Sequence, residues 1–362
     1  MAWQNPEKAF NSLPNLPPQR EIETRAVLKS AIDANRSLAE FKGACQRLPH
    51  PELLINSVVL QESRDSSAIE NIVTTQDALY RAVISPLDAV PSQTKEVLAY
   101  REALYHGWET MKQNGLLLGK TSVAIMQRIK QTTAGYRNTP GTQLANPTTE
   151  KIIYTPPDWR QVPDKMADWE KFINEPSGLD PLVRMALMHY QFEAIHPFAD
   201  GNGRTGRILN VLFLLNEKLI TLPALYHSAY IIQHKSDYYR CLGEVTEADR
   251  WEQWILFMLD AIKETAQFTL SMIEEMLRLK AETLAQIKTL SQKLPAHELN
   301  ELIFSFPYIK IKVLEDRKLA KRQAASQYLQ QLAEKKILTP LKVGREIYYV
   351  NHALMDIITR RR

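Results

Sequence analysis

The sequence predicts a mainly all-α protein with a small β-hairpin flap, ending in a helical unit with a short β wing. Three observations predict it. Glycine is scarce, at 12 of 362 residues. Strict apolar–polar alternation is rare. Apolar residues instead recur at helical spacing along most of the chain.

Taken in order, Pro14, Pro17 and Pro18 mark an extended arm. A polar helix is expected from about Glu21 to Arg47, and Pro51 opens a second, since proline suits the first helical turn. Helices are expected next over Gln93–Lys112 and over Thr121–Thr133, the latter with Thr121 or Ser122 as N-cap. After Gly135 the pattern changes. Residues 138–157 are rich in Pro, Thr, Asn and Gly around the β-like run Ile152, Ile153 and Tyr154, which predicts a hairpin or flap closed by Pro156 and Pro157. Asp180-Pro181, a cap followed by proline, starts a helix through Leu182 to Ala194 whose near-continuous apolar character predicts burial. His196-Pro197 breaks it, because a proline disfavours the α region for the residue before it. Gly201 and Gly203 permit a tight turn, and a second apolar helix runs from about Arg204 to Leu219 as a central helix. Long helices resume over Lys235–Lys293. The remainder reads as a helix near His297–Phe304, a short helix near Ile311, a longer one over Lys321–Lys335 and a hairpin over Ile337–Val350 turning at Gly344. That is the order of a winged helix. The expected units are an N-terminal helical region (1–114), a catalytic domain (115–262), a connecting helix (263–294) and the winged-helix-like unit (295–362).

Composition narrows the class. Hydrophobic residues make up 44% and charged residues 24%, which excludes disordered, collagen-like and disulfide-rich secreted chains. Cys45 and Cys241 match no metal-ligand spacing, and a reducing, cytoplasmic setting is expected. No run approaches the eighteen or so apolar residues of a membrane helix, and Met1–Arg20 has no apolar signal core. Charge is uneven: Tyr308–Arg362 carries 13 Lys/Arg against 5 Asp/Glu, so a net +4 overall leaves −4 for the rest.

The chemistry concentrates in His196-Pro-Phe-Ala-Asp-Gly-Asn-Gly-Arg-Thr-Gly-Arg207. Backbone N–H groups bracketed by glycines at a helix N-terminus form an anion cradle. Arg204 and Arg207, three residues apart in the first turn, suit a polyphosphate because guanidinium binds phosphate oxygens bidentately. Asp200 is a hard oxygen ligand beside those cations, a place for Mg²⁺ held mostly by phosphate and water. His196 can take a proton from an attacking hydroxyl near neutral pH. Together these parts predict transfer of a phosphate-containing group from a nucleotide. A capped helix junction with surface arginines would also contain a glycine-rich turn; the whole twelve-residue run is what sets this one apart.

That run matches HPFxDGNGRxxR without a gap and so resembles the signature of the Fic family. The likeness extends to Ser66-Ser-Ala-Ile-Glu70-Asn71, similar to the family's inhibitory Ser/Thr-x-x-x-Glu-Gly/Asn motif and placed N-terminal to the core. The segment ending Tyr154-Thr-Pro-Pro157 is similar to its target-docking hairpin, with Ile152, Ile153 and Tyr154 as docking residues. Tyr238-Tyr239 resembles the tyrosine pair that shapes the nucleotide-base pocket. The resemblance implies a Fic-type helical bundle that transfers AMP from ATP to a Ser, Thr or Tyr hydroxyl of a target protein, itself included. His196 would be the general base, and Asp200 would hold Mg²⁺ at the α- and β-phosphates. Gly201, Asn202 and Gly203 would line the anion hole with backbone and amide donors, and Arg204, Thr205, Gly206 and Arg207 would complete the phosphate site. Phe198 would anchor the loop in the core. Arg207 would hold the γ-phosphate or pair with Glu70, Ser66 and Asn71 completing the inhibitory turn. A homo-oligomer controlling Glu70 is expected, and no membrane partner.

Two alternatives stay open. Relatives of this kind transfer other nucleotide or phosphate groups, or remove AMP. The C-terminal unit, with Lys310, Lys312, Arg317, Lys318, Lys321, Arg322 and the tail Arg360-Arg361-Arg362, could instead bind DNA in a nucleotide-sensing regulator, with Gln323, Ser326, Gln327 and Gln330 reaching base edges. His106, His189, His227 and His234 lack partners by spacing and read as structural or solvated. Trp251 and Trp254 read as core.

Overall fold

A computed structural model describes residues 3, 5–46, 51–83, 90–146, 149–290, 294–344 and 346–360, with side chains of the second helix from residue 56 onward. Arg47, Lys293, Arg361 and Arg362, which entered the expected helix ends and basic tail, lie outside the described residues. The helices in chain order are α1 (Arg25–Gln46), α2 (Pro51–Ile69), α3 (Gln76–Val83), α4 (Ser92–Asn114) and α5 (Gly119–Lys130). Strands β1 (Leu144–Ala145) and β2 (Ile152–Tyr154) follow, then α6 (Val162–Asn174), α7 (Pro181–Ile195), α8 (Asn202–Asn216), α9 (Ser228–Gln233), α10 (Lys235–Ala248) and α11 (Trp251–Lys288). The chain ends in α12 (Ala296–Ser305), β3 (Tyr308–Ile309), α13 (Ile311–Asp316), α14 (Arg322–Glu334), β4 (Thr339–Val343), β5 (Glu346–Val350) and α15 (His352–Thr359).

The expected all-α class holds. At its centre lie α7 and α8. The Asp180 side chain accepts from the Leu182 N–H (2.8 Å), and Pro181 occupies the first turn, so α7 starts where cap and proline place it. All but two of its residues are buried. Helix α8 starts at Asn202, two residues before the expected Arg204, and ends at Asn216. The two helices approach closely at Gly206, where a Cβ would stand 2.5 Å from Glu193 Oε1 and 3.2 Å from His189 and Phe192. Around this pair pack α5, α4, α6 and the first half of α11, with α1 lying along α11. Trp254 of α11 donates its indole N–H to the Ala186 carbonyl of α7 (2.8 Å).

Two expectations are corrected. Helix α5 begins at Gly119, and neither Thr121 nor Ser122 caps it. The Ser122 hydroxyl turns back to the Gly119 carbonyl (2.6 Å), and Glu170 of α6 accepts the Gly119 N–H (2.6 Å). A tertiary partner satisfies the orphan donor that sequence rules assign to a local side chain. The sequence reading lacked α6 and the short helices α3, α9 and α15. Helix α11 runs unbroken from Trp251 to Lys288.

The C-terminal unit has helix, strand, two helices and a hairpin, with its antiparallel sheet in the order β3-β5-β4 and Tyr308 opposite Val350. It packs α12 and α15 on α2. Tyr308 stacks on Tyr80 of α3 (6.3 Å between centroids) and donates its hydroxyl to Asp77. Among the described residues no helix is long and apolar enough to cross a membrane.

Candidate active site

The twelve-residue motif forms the α7–α8 junction. His196 ends α7 in the left-handed region (φ 49°), and Gly201 (φ 85°) precedes α8 in the same region, where glycine avoids the Cβ clash. Phe198 is fully buried against Tyr136 and Phe192, as expected. The Asn202 side chain bonds the loop itself. Its amide accepts from the Phe198 N–H (2.9 Å) and donates to the Phe198 carbonyl (2.8 Å). Both ends of that side chain thus bond the loop backbone.

A cavity of about 1190 Å³ opens beside this junction. His196, Gly203 and Arg207 line it, with Glu70, Glu193, Tyr238, Tyr239 and the flap residues Leu144, Ala145, Ile153 and Tyr154. Its volume exceeds what one drug-sized ligand needs, roughly 300–1,000 Å³. Tyr239 is exposed, whereas Tyr238 is buried, with its hydroxyl 2.8 Å from His189 Nε2 in a cluster with Trp254. Of the flap residues, Ile153 is exposed, Ile152 is half-buried outside the cavity wall, and Tyr154 donates to the Ala194 carbonyl (2.7 Å).

Arg207 is almost wholly buried. It donates to Ser66 Oγ (2.8 Å), the Ser66 carbonyl (2.8 Å) and Glu70 Oε1 (2.8 Å). Burial opposes its charge, but Glu70, Tyr238 and Tyr100 outweigh burial and raise its pKa. The Glu70 carboxylate also stands over the start of α8: a Cβ on Gly203 would lie 2.2 Å from Glu70 Oε1. Gly203 therefore leaves room at the α8 N-terminus for one anionic oxygen, and here that oxygen belongs to Glu70.

Arg204 goes elsewhere. Its guanidinium donates to Glu96 of α4 (2.6 Å) and lies 3.9 Å from Asp200, while Lys130 of α5 bridges Asp200 (2.6 Å) and Glu96 (3.2 Å). Burial works against the Asp200 carboxylate, but Lys130 and Arg204 hold its pKa below the usual range. Thr205 is fully buried in α8, and Gly206 faces α7, so neither side of the helix there reaches the cavity. Among the described residues no three metal-ligating side chains cluster. A single exposed carboxylate such as Asp200 fits a divalent ion that takes its other ligands from phosphate and water.

Burial, with Arg137 nearby, lowers the His196 pKa to about 4, although the Glu193 backbone carbonyl, Glu70 and Asp200 pull the other way. The imidazole is thus neutral at pH 7, the form a general base needs. Glu193 moves oppositely: burial raises it to about 8, with Arg207 lowering and Glu70 raising it. Sequence reasoning missed Glu96, Lys130, Arg137 and Glu193. Arg137 donates to the His196 carbonyl (2.8 Å), the Ile195 carbonyl (3.3 Å) and the Pro157 carbonyl, which ties the flap's end to the C-terminus of α7. Only Glu193, three residues before His196, had a signal, since that spacing shares a helix face.

Comparison with known proteins gives concordant results. Residues 28–109 match the Fic/DOC family N-terminal model, 118–214 the Fic/DOC family model, and 279–354 the C-terminal domain of protein adenylyltransferase SoFic-like proteins. Protein adenylyltransferase Fic of Nematostella vectensis is 28% identical over 205 residues, 54% of this chain and 45% of that protein. Protein adenylyltransferase fic-1 of Caenorhabditis briggsae is 32% identical over 93 residues, 25% of this chain and 17% of that protein. The chain thus spans less than half of either relative. A Fic family protein from Desulfovibrio desulfuricans superposes with a TM-score of 0.58 at 22% identity, covering 92% of this chain and 98% of that one. Fic-1 of Caenorhabditis elegans (residues 134–508) superposes with a TM-score of 0.53 at 20% identity, covering 68% and 74%. At these identities the structural likeness bears on the fold.

Proposed function

The chain belongs to the Fic/DOC family, and from that premise we propose that it is a protein adenylyltransferase. It would move AMP from ATP to a Ser, Thr or Tyr hydroxyl of a target protein and release pyrophosphate. The observation that carries this reading is the convergence of neutral His196, the Gly203 cradle and Arg207 on one cavity, with Glu70 seated in the cradle. In the reaction His196 takes the proton of the target hydroxyl. The freed oxygen bonds to the α-phosphorus as the bond from that phosphorus to the bridging oxygen breaks, and pyrophosphate leaves with the bond's electrons. Backbone N–H groups at the start of α8 and the Arg207 guanidinium neutralise phosphate charge. A divalent ion beside Asp200 would add further neutralisation when bound. Glu70 holds the repressed state, because the oxygen over Gly203 and the partner of Arg207 cannot be both carboxylate and γ-phosphate. The flap edge at Ile153 would receive the target, and Tyr239 would face the base.

The test is transfer from α-labelled ATP with Mg²⁺, in extract and on purified protein. Label on protein is the expected result. Label from γ-labelled ATP or from another nucleotide, with none from α-labelled ATP, would replace the AMP assignment by a different group transfer.

A pH profile tests the base. Since burial and Arg137 lower the His196 pKa to about 4, the base form persists well into acid. We expect kcat/KM to stay flat between about pH 6 and pH 8 and to fall only on the acid side of that range. An acid limb centred near 6.5, the ordinary imidazole value, would contradict it.

A second reading concerns the C-terminal unit. Lys321, Arg322, Gln323, Gln327 and Gln330 are exposed along α14 and its start, a face suited to a nucleic-acid backbone. Salt-dependent duplex binding by the full chain would support a DNA partner.

A further inference from the structure

We propose that Lys235, the first residue of α10, is the positioning residue that latches Glu70 in its inhibitory place. The inference rests on the reading of Glu70 as inhibitory. Glu70 lies just beyond the end of α2, in a turn closed by Glu70 N–H to the Ser67 carbonyl (3.0 Å) and Asn71 N–H to the Ala68 carbonyl (3.0 Å). Asn71 sits in the left-handed region (φ 62°), as a helix-ending residue often does. The Lys235 ammonium donates to the Ile69 carbonyl (2.6 Å) and stands 3.5 Å from Asn71 Oδ1.

A cation at the N-terminus of α10 gains nothing from that helix's own dipole, which favours anions there. At the C-terminus of α2 the same cation is favoured, and it satisfies an orphan carbonyl. Its charge therefore serves α2. The body of α2 is fixed separately and more deeply. Buried Glu62 accepts from the Ser228 N–H (2.9 Å) and from Tyr100 (3.1 Å), and Asp65 accepts from Arg64 (2.7 Å) and from Tyr226. Release of Glu70 thus requires only the last turn to swing, and Lys235 is the side chain that ties that turn to α10.

The experiment compares wild type, Lys235→Met, Lys235→Arg, Glu70→Gly and the double variant Lys235→Met with Glu70→Gly. It reads label from α-labelled ATP and backbone amide exchange at residues 70–72. Lys235→Met should raise transfer about three- to tenfold, below Glu70→Gly, and should speed exchange at those amides by a similar factor. Lys235→Arg keeps a donor and should stay repressed. The double variant should match Glu70→Gly, since a latch has nothing left to hold. Misfolding would not raise activity, so the gain is diagnostic. Transfer by Lys235→Met at or below wild type, with exchange unchanged while Glu70→Gly is active, overturns the latch. Equal loss in both Glu70 backgrounds would place Lys235 on the substrate and also overturn it. If Glu70→Gly itself shows no gain, the inhibitory reading fails, and exchange at residues 70–72 alone decides whether Lys235 holds the turn.

Discussion

Glu70→Gly is expected to raise AMP transfer by about a hundredfold. The carboxylate bonds a guanidinium that is 1% exposed, at 2.8 Å, and occupies the cradle over Gly203. A charge-assisted hydrogen bond of this kind contributes about 1.5–3 kcal/mol, and each 1.4 kcal/mol or so is a tenfold change. Removing it frees both the cation and the space that a γ-phosphate needs. The same change should lower the stability of the nucleotide-free protein, because Arg207 keeps its Ser66 bonds but loses its counter-charge. ATP should restore that stability by binding the folded state. Glu70→Gln, which keeps the shape and loses the charge, should fall between. The measurements are label incorporation and thermal unfolding with and without ATP. Unchanged turnover in Glu70→Gly would remove the inhibitory assignment.

His196→Asn in the Glu70→Gly background is expected to lose about 10²- to 10⁴-fold in turnover, the usual contribution of a positioned general base. Asparagine is the informative replacement. Position 196 has φ 49°, a conformation that most side chains resist and asparagine tolerates, so α7 should keep its end. ATP affinity should change little, since phosphate contacts come from α8 and Arg207. A loss confined to kcat, read by single-turnover label transfer beside equilibrium ATP binding, supports the base. Equal loss of binding would assign His196 to the nucleotide site instead.

Legibility followed chain distance. The start of α7, its break at His196 and the turn before α8 depend on near neighbours: a cap, two prolines and Gly201. Phe198 was readable through the resemblance, which implies a loop anchored in the core, and its side chain is buried. Glu70 was readable only through resemblance, since a lone glutamate near a helix end has no distinguishing local pattern. The loop bonds of Asn202 were not readable, because its amide could serve an anion or the loop, and only the fold places the Phe198 backbone beside it. Glu96, Lys130, Arg137 and Lys235 were invisible for another reason. Each acts on residues from 20 to 166 positions away, and no spacing encodes that.

What the sequence determined by itself was the all-α class, the central buried helix pair and the twelve-residue run at their junction, because periodicity, caps and glycine freedom are local physics. The tertiary structure decided which charge meets which. It sent Arg204 to Glu96 and Arg207 to Glu70, although the two lie three apart on one helix. Their partners come from α4 and from the turn just after α2, and buried ions go wherever packing supplies a counter-charge.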